Sequence, residues 1–348
     1  MTKFSIILPV YNVENYLPRS FKYLLSQTFS DIEIICVNDG STDNSLSILK
    51  NYAQNDNRIK LISQENKGVS AARNAGMNVA TGEYILFVDP DDYLDKNACQ
   101  ILVDIIEKYE DVELLLFNHL DIFPDKNTLV KQNYNQEIKS KILEKVIDFV
   151  AKPTIYCLWV KLFKTDIIKR NKIRFNENLS WAEDAYFVWQ YYKCNPITVT
   201  IPNVLYYYTC AREGSLSTDI PVKFFEKFKK AFAFFKQILF KNIDNYNQTI
   251  CECYILDRLM IETLFQWKYL YFTEYKDEYV SFVKEVFEFY PKSIIENHNF
   301  LGYARAKRWL GLSKCHINWF YWKMIFPICK YCFVMPYRKL FKRGQRVV

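Results

Sequence analysis

Apolar and polar positions follow two rhythms along the first hundred residues. Nearly continuous apolar runs at 4–10, 32–37, 59–62 and 83–88 read as buried strands, since a strand covered on both faces has no polar side to alternate with. Between them, 16–25, 42–54 and 68–80 carry apolar residues at helical spacing. Asn15 precedes the first helix as a possible cap, and Ser41 or Thr42 is placed to cap the second. Gly76 lets the third lie close against a neighbour. Four alternations of strand and helix with short links predict an α/β fold with a largely parallel sheet.

The pattern continues as a helix at 96–109 and a strand at 113–118. A polar stretch at 124–136 reads as a loop, and helical spacing returns at 140–150 and 184–193. Residues 198–208 alternate as a strand, and 221–290 are helical and dense in Phe, Tyr and Lys. No internal repeat or low-complexity segment interrupts the chain.

Three polar clusters fall at the carboxyl ends of predicted strands: Tyr11-Asn12, the run from Asn38 to Asp43, and Asp89-Pro90-Asp91-Asp92. Ligands of parallel α/β sheets bind at this edge. Clustered carboxylates repel and raise one another's pKa. The last cluster is therefore either a turn with a helix cap or a site for a Mg- or Mn-type cation. Convergence of the three clusters on one edge favours the cation site for Asp89 and Asp91 and leaves Asp92 as a cap.

The 348 residues are half hydrophobic and carry a formal charge of +7. No Asp or Glu follows Glu296, while eleven Lys and Arg do. Setting those aside leaves 35 cations against 39 acids, a net charge of −4. A mildly acidic body with a basic tail argues against a nucleic-acid binder and for an anchor to an anionic surface. The segment 317–336 is rich in Trp, Phe and Tyr but is interrupted by Lys323, Pro327 and Lys330. This predicts a segment lying on the membrane interface without crossing it. The ten cysteines follow no disulfide spacing and Met1 leads into a strand, so a cytosolic chain with free thiols is expected.

Four stretches, in order, carry a family resemblance: SIILPVYNVENYL from Ser5, CVNDGSTDNS from Cys36, ENKGVSAARNAGM from Glu65 and GEYILFVDPDDYL from Gly82. They look like a family 2 glycosyltransferase of the GT-A fold. Later pieces resemble its acceptor side: WVKLFKTDII from Trp159, WAEDAYF from Trp181 and YYYTCAREGSLS from Tyr206. The match covers roughly residues 3–215. It implies a Rossmann-like, mixed and mostly parallel sheet with helices on both faces, followed by a helical extension. The expected domains are 1–218 (a nucleotide-binding half, 1–98, and an acceptor half, 99–218), a helical extension at 219–296 and the basic aromatic tail at 297–348.

By the same resemblance, the chain transfers a hexose or N-acetylhexosamine from a UDP-sugar, with inversion, to a bacterial surface glycan or glycolipid such as capsule or lipooligosaccharide. Asp91 and Asp89 would hold Mn2+ or Mg2+, and Asp89 could also reach the ribose. Asp39 resembles the uracil reader, preceded by Asn38 where many relatives have Asp. Pro9 and Tyr11 would line the base pocket, and Lys67, Arg73 and Arg212 would contact phosphate or ribose. Asp184 resembles the catalytic base, with Glu183 orienting the acceptor; read alone, the pair could equally cap a helix. The enzyme would sit peripherally at the inner face of the cell membrane. Alternatives are transfer to polyprenyl phosphate, or a non-catalytic sugar-nucleotide-binding scaffold.

Overall fold

The computed structural model describes residues 2–123, 125, 128–131, 133–144, 156–210, 221–241, 246–265 and 276–291. The predicted alternation opens the chain: strand β1 (Phe4–Val10), helix α1 (Leu17–Leu25), β2 (Ile32–Asp39), α2 (Ser45–Asn55), β3 (Ile59–Gln64), α3 (Val69–Val79) and β4 (Tyr84–Phe87). β1, β2 and β4 are buried along their whole length, as their unbroken apolar runs require. β5 (Tyr93–Leu94), α4 (Ala98–Tyr109), β6 (Leu114–Ile122), β7 (Thr128–Lys131), β8 (Ile138–Lys141) and β9 (Lys161–Lys164) follow. Then come α5 (Thr165–Arg170), α6 (Glu183–Lys193), β10 (Ile197–Thr209), α7 (Pro221–Ile238), α8 (Tyr246–Phe265) and α9 (Lys276–Glu288).

The strands form one sheet in the order β3-β2-β1-β4-β9-β6-β10-β5, with β7 on β6 and β8 on β10. β1, β2, β3, β4, β6 and β10 run one way, and β5, β7, β8 and β9 run against them. The sheet is mixed and mostly parallel in direction, as expected. β1 lies between β2 and β4, so the chain's path reverses beside it and opens a crevice at the strand ends.

Local readings changed where distant chain arrived. Residues 140–141, expected to begin the helix 140–150, instead end β8, whose residues 138–141 pair with 197–200 of β10; 145–150 lie outside the described residues. The expected loop at 124–136 contains β7, held by β6. Ser41 and Thr42 cap nothing. α2 starts at Ser45 after Asn44, and Asn12 engages both residues instead: its N–H donates to Ser41 Oγ at 3.2 Å and its side-chain oxygen accepts the Thr42 N–H at 2.8 Å.

The chain divides into two compact units, 1–209 with 227–255, and 210–226 with 256–348. Within the first, Trp181 meets the ring of Phe228 edge-on at 4.2 Å, and the Tyr156 hydroxyl donates to the Cys251 carbonyl at 3.1 Å. Within the second, Phe225 packs on Tyr279 and Phe282. Among the described residues, the seven cysteines form no disulfide. Among the described residues no helix is long and apolar enough to cross a membrane. The basic aromatic tail and Arg212 lie outside them.

Candidate active site

The strand ends build the site in two linked groups. In the first, Asp39 closes β2 with a buried carboxylate. Oδ1 accepts from Gln64 Nε2 at 2.7 Å and from the Lys67 N–H at 2.9 Å, while Oδ2 accepts the Gly68 N–H at 2.8 Å. Gly68 has φ +88, a backbone geometry that suits glycine, and it precedes α3. Asp39 therefore sets where α3 begins. The Lys67 side chain is exposed, Pro9 is buried in β1, and Tyr11 is 48% exposed just beyond it.

The second group gathers around Arg73, one face of α3 further on. Gly76 allows the approach of that helix to the sheet: a Cβ there would stand 2.6 Å from Ile7 Cγ2. Arg73 is only 4% exposed. Its Nη2 lies 3.1 Å from Asp89 Oδ1, and its Nη1 lies 2.7 Å from Asp184 Oδ1 and 3.3 Å from Glu183 Oε1. The guanidinium sits 5.4 Å from the Phe175 ring centroid. Arg73 was expected to contact phosphate or ribose; here both terminal nitrogens face carboxylates.

Glu183 and Asp184 open α6, where the helix dipole favours negative charge. Ala182 precedes them in the left-handed region, φ 61, a strained geometry for a residue with a Cβ. Burial pushes Asp184 well above the usual carboxylate range; Arg73 opposes this, and Glu183 and Asp89 add to it. Burial opposes the charge on Arg73, but Asp184, Asp89 and Glu183 outweigh it and hold the guanidinium above its ordinary value. Asp184 is thus a carboxylate with raised proton affinity beside a permanent cation, a combination suited to accepting a proton.

Asp89-Pro90-Asp91 leaves the end of β4, with Asp89 and Asp91 half-buried. Among the described residues no three His, Cys, Asp or Glu side chains cluster as a self-sufficient metal site. Two carboxylates nevertheless suit Mg2+ or Mn2+, which commonly takes one or two from protein and the rest from water and substrate phosphates. Asp92 is not the helix cap expected. α4 starts at Ala98, and Asp95 Oδ1 accepts the Asn97 N–H at 2.8 Å. Asp92 is buried and accepts from the Tyr206 hydroxyl at 2.8 Å and the Thr209 N–H at 2.7 Å.

Three residues hold this loop: Tyr206 and Thr209 belong to the YYYTCAREGSLS stretch, which assigns them no role, and Arg19 carries no local sequence signal. Arg19 Nη2 donates to the Asp91 carbonyl at 2.5 Å and Thr209 Oγ1 donates to the same oxygen at 2.7 Å. Tyr206 completes the set through Asp92. Lys161 was also missed: it is fully buried, its Nζ donates to the Cys157 carbonyl at 2.5 Å, and burial draws its pKa down to about 8 against the pull of Cys157 and Asp184. The only prior sign was its place in the WVKLFK stretch.

Residues 5–167 match the glycosyl transferase family 2 model. The uncharacterized glycosyltransferase EpsJ of Bacillus subtilis is 35% identical over 231 residues, covering 63% of this chain and 64% of EpsJ. The poly(ribitol-phosphate) β-N-acetylglucosaminyltransferase TarS of Staphylococcus aureus is 32% identical over 219 residues, covering 62% of this chain and 36% of TarS. The chain thus spans less than two thirds of the length of these curated relatives. The crystal structure of S. aureus TarS 1–349 in complex with UDP-GlcNAc superposes with a TM-score of 0.70 at 22% identity, covering 90% of this chain and 91% of that one. At that identity the likeness establishes the fold, which is the one the motifs implied. Residues 5–167 therefore form a glycosyl transferase family 2 domain.

Proposed function

We propose that this protein is an inverting, metal-assisted glycosyltransferase that moves a hexose or N-acetylhexosamine from a UDP-sugar to a hydroxyl of a bacterial surface glycan. One observation carries the reading: Asp89, at the end of β4, and Asp184, at the start of α6, meet on a single buried arginine. A donor-side acid and an acceptor-side acid then face one reaction centre, as an in-line displacement requires. UDP-GlcNAc in the TarS complex supports a UDP-sugar donor, and the polymer named for TarS supports a surface-polymer acceptor.

Asp89 and Asp91 would hold Mn2+ or Mg2+ together with the diphosphate. Bound there, the metal would act as a Lewis acid on the leaving nucleotide. The mannosyltransferase PcManGT from Pyrobaculum calidifontis, a distant structural neighbour, was solved with GDP-Man and Mn2+, which supports a divalent ion in this fold. Asp184 takes the proton of the attacking hydroxyl, and Glu183 orients the acceptor. Asp39 reads the base with the Oδ2 lone pair that Gln64, Lys67 and Gly68 leave unused. Pro9 and Tyr11 flank the base pocket, and Lys67 and Arg212 meet the phosphates.

The basic aromatic tail would rest on an anionic membrane, confining enzyme and acceptor to one surface. Flotation of the full chain with anionic but not with neutral liposomes at low salt is the expected result, and no flotation with either would remove the anchor. The transfer reading is tested by UDP release from a panel of UDP-sugars with Mn2+, and again after chelation by EDTA. Release that depends on one donor and on metal supports it; silence across the whole panel sinks it.

A further inference from the structure

We propose that Arg73 is a positioning residue: it ties the acceptor-side Asp184 to the donor-side Asp89 and so fixes the distance between base and leaving group. The proposal rests on the transfer reading above and deepens it. It starts from charge. Asp89, Glu183 and Asp184 converge on one guanidinium, and without it three carboxylates would share a largely buried space. Like charges so placed splay apart, and a displaced base loses its line of attack.

The geometry fits a clamp better than a ligand contact. A guanidinium is a planar fork with donors in fixed directions, able to bridge carboxylates that a point charge could not align together. Both terminal nitrogens of Arg73 are directed at carboxylates, while its buried Nε has no hydrogen-bond partner in the structure. The side chain gives up one hydrogen bond to keep the two ends of the fork on the two elements.

The clamp is itself held. Asp39 fixes the Gly68 N–H ahead of α3, the Gly76 contact seats the helix on Ile7, and Phe175 lies against the guanidinium. Arg73 therefore stands on a rigid element while its partners come from a strand end and a helix start. In the chain they are 16, 110 and 111 residues away.

The test uses the full chain with Arg73→Lys and Arg73→Met, folding checked by circular dichroism. UDP affinity is measured by calorimetry with Mn2+, and kcat and KM with the donor found active in the panel. Arg73→Met is expected to lower kcat about 100-fold, the scale of a small misplacement of reacting groups, while UDP affinity and donor KM stay within a few-fold. Arg73→Lys keeps the charge and should recover part of kcat. A structural lesion would instead lower the active fraction and leave the kcat of the folded remainder unchanged. If Arg73→Met does not fold, Arg73→Lys decides: a tenfold or greater fall in kcat, on the order expected for partial misplacement, with UDP affinity retained supports the clamp. UDP affinity collapsing with kcat preserved would make Arg73 a donor contact and overturn the proposal, as would wild-type kcat in both variants. A wild-type protein that turns over no donor overturns the transfer reading and the clamp together, so the two failures are distinguishable.

Discussion

The Tyr206 hydroxyl donates to Asp92 Oδ2 at 2.8 Å and accepts the Asp89 N–H at 3.1 Å. One phenol on β10 therefore grips both ends of the Asp89–Asp92 turn, which also closes on itself through the Asp92 N–H and Asp89 carbonyl at 3.0 Å. The ring of Tyr206 stacks on Trp159 at 4.9 Å, so its direction is fixed from behind. Burial, joined by Asp91 and Asp89, holds Asp92 well above the usual carboxylate range, which makes its two donors from β10 necessary partners. Tyr206→Phe keeps the stack and deletes the hydroxyl. Leaving a buried N–H and carboxyl oxygen unpaired is expected to cost about 1–3 kcal/mol in urea unfolding. UDP release should fall as well, because the loop carrying Asp91 loosens. Unchanged stability and release would show that Arg19 and Thr209 suffice to hold it.

Asp184→Asn should separate chemistry from binding. The amide cannot take a proton, and a positioned general base contributes about 100- to 10,000-fold. Transfer is expected to fall on that scale while UDP affinity changes little. A collapse of UDP affinity would place Asp184 on the donor side instead.

Asp91→Asn removes one charge from the proposed ligand pair and leaves Asp92 and its β10 partners in place. The Mn2+ concentration giving half-maximal UDP release should rise and turnover should drop, with the unfolding midpoint retained. An unchanged Mn2+ titration would remove Asp91 from the metal site.

The parallel half of the sheet was legible because its signals are local. Apolar runs, helical spacing and polar strand ends all sit within a few residues of what they specify, and Gly76 was read as a close-packing glycine. What failed depends on distant chain. Asp92 looks like a cap until Tyr206 and Thr209 arrive from 114 and 117 residues downstream. Residues 140–141 look helical until β10 pairs with them. β9 was not anticipated, being only four residues long and held between β4 and β6. At the site, the sequence names Asp89, Arg73 and Asp184 one by one. Only the fold places them on a common fork.

Glu33 gives a pH dependence that owes nothing to the site. It is buried on β2 and accepts from Ser5 Oγ at 2.5 Å and the Thr81 N–H at 2.6 Å, with Lys60 at 2.5 Å. Burial pushes its pKa up, but Lys60, Ser5 and Thr81 outweigh it and bring the value down to about 2. A carboxylate depressed in the folded state stabilises it above the unfolded pKa, and that contribution is lost as pH falls toward the folded value. The window is therefore from about pH 5 down to about pH 2, and its size is roughly 3 kcal/mol. Unfolding free energies measured across that range should decline for the wild type and decline less for Glu33→Gln, which should itself be less stable at pH 7. Parallel curves for the two proteins would count against this network.

Two glycines pack against β1 and should respond differently to a methyl group. At Gly76 an added Cβ would stand 2.6 Å from Ile7 Cγ2, a side-chain atom, and 3.5 Å from Val37 Cγ2. At Gly82 it would stand 2.5 Å from the Ser5 backbone nitrogen and 2.8 Å from the Phe4 carbonyl carbon. The Gly82 N–H also donates to Ser5 Oγ at 2.8 Å, and its carbonyl accepts Thr165 Oγ1 at 2.7 Å, so the segment is pinned on both sides. A rotamer adjustment can relieve part of the first clash, whereas only displacement of a central strand relieves the second. Overpacking costs about 1–3 kcal/mol, and Gly76→Ala regains about 1 kcal/mol of helix propensity that Gly82→Ala does not. Urea midpoints should therefore fall in the order wild type, Gly76→Ala, Gly82→Ala. The reverse order would mean that the β1 backbone yields more readily than a buried isoleucine.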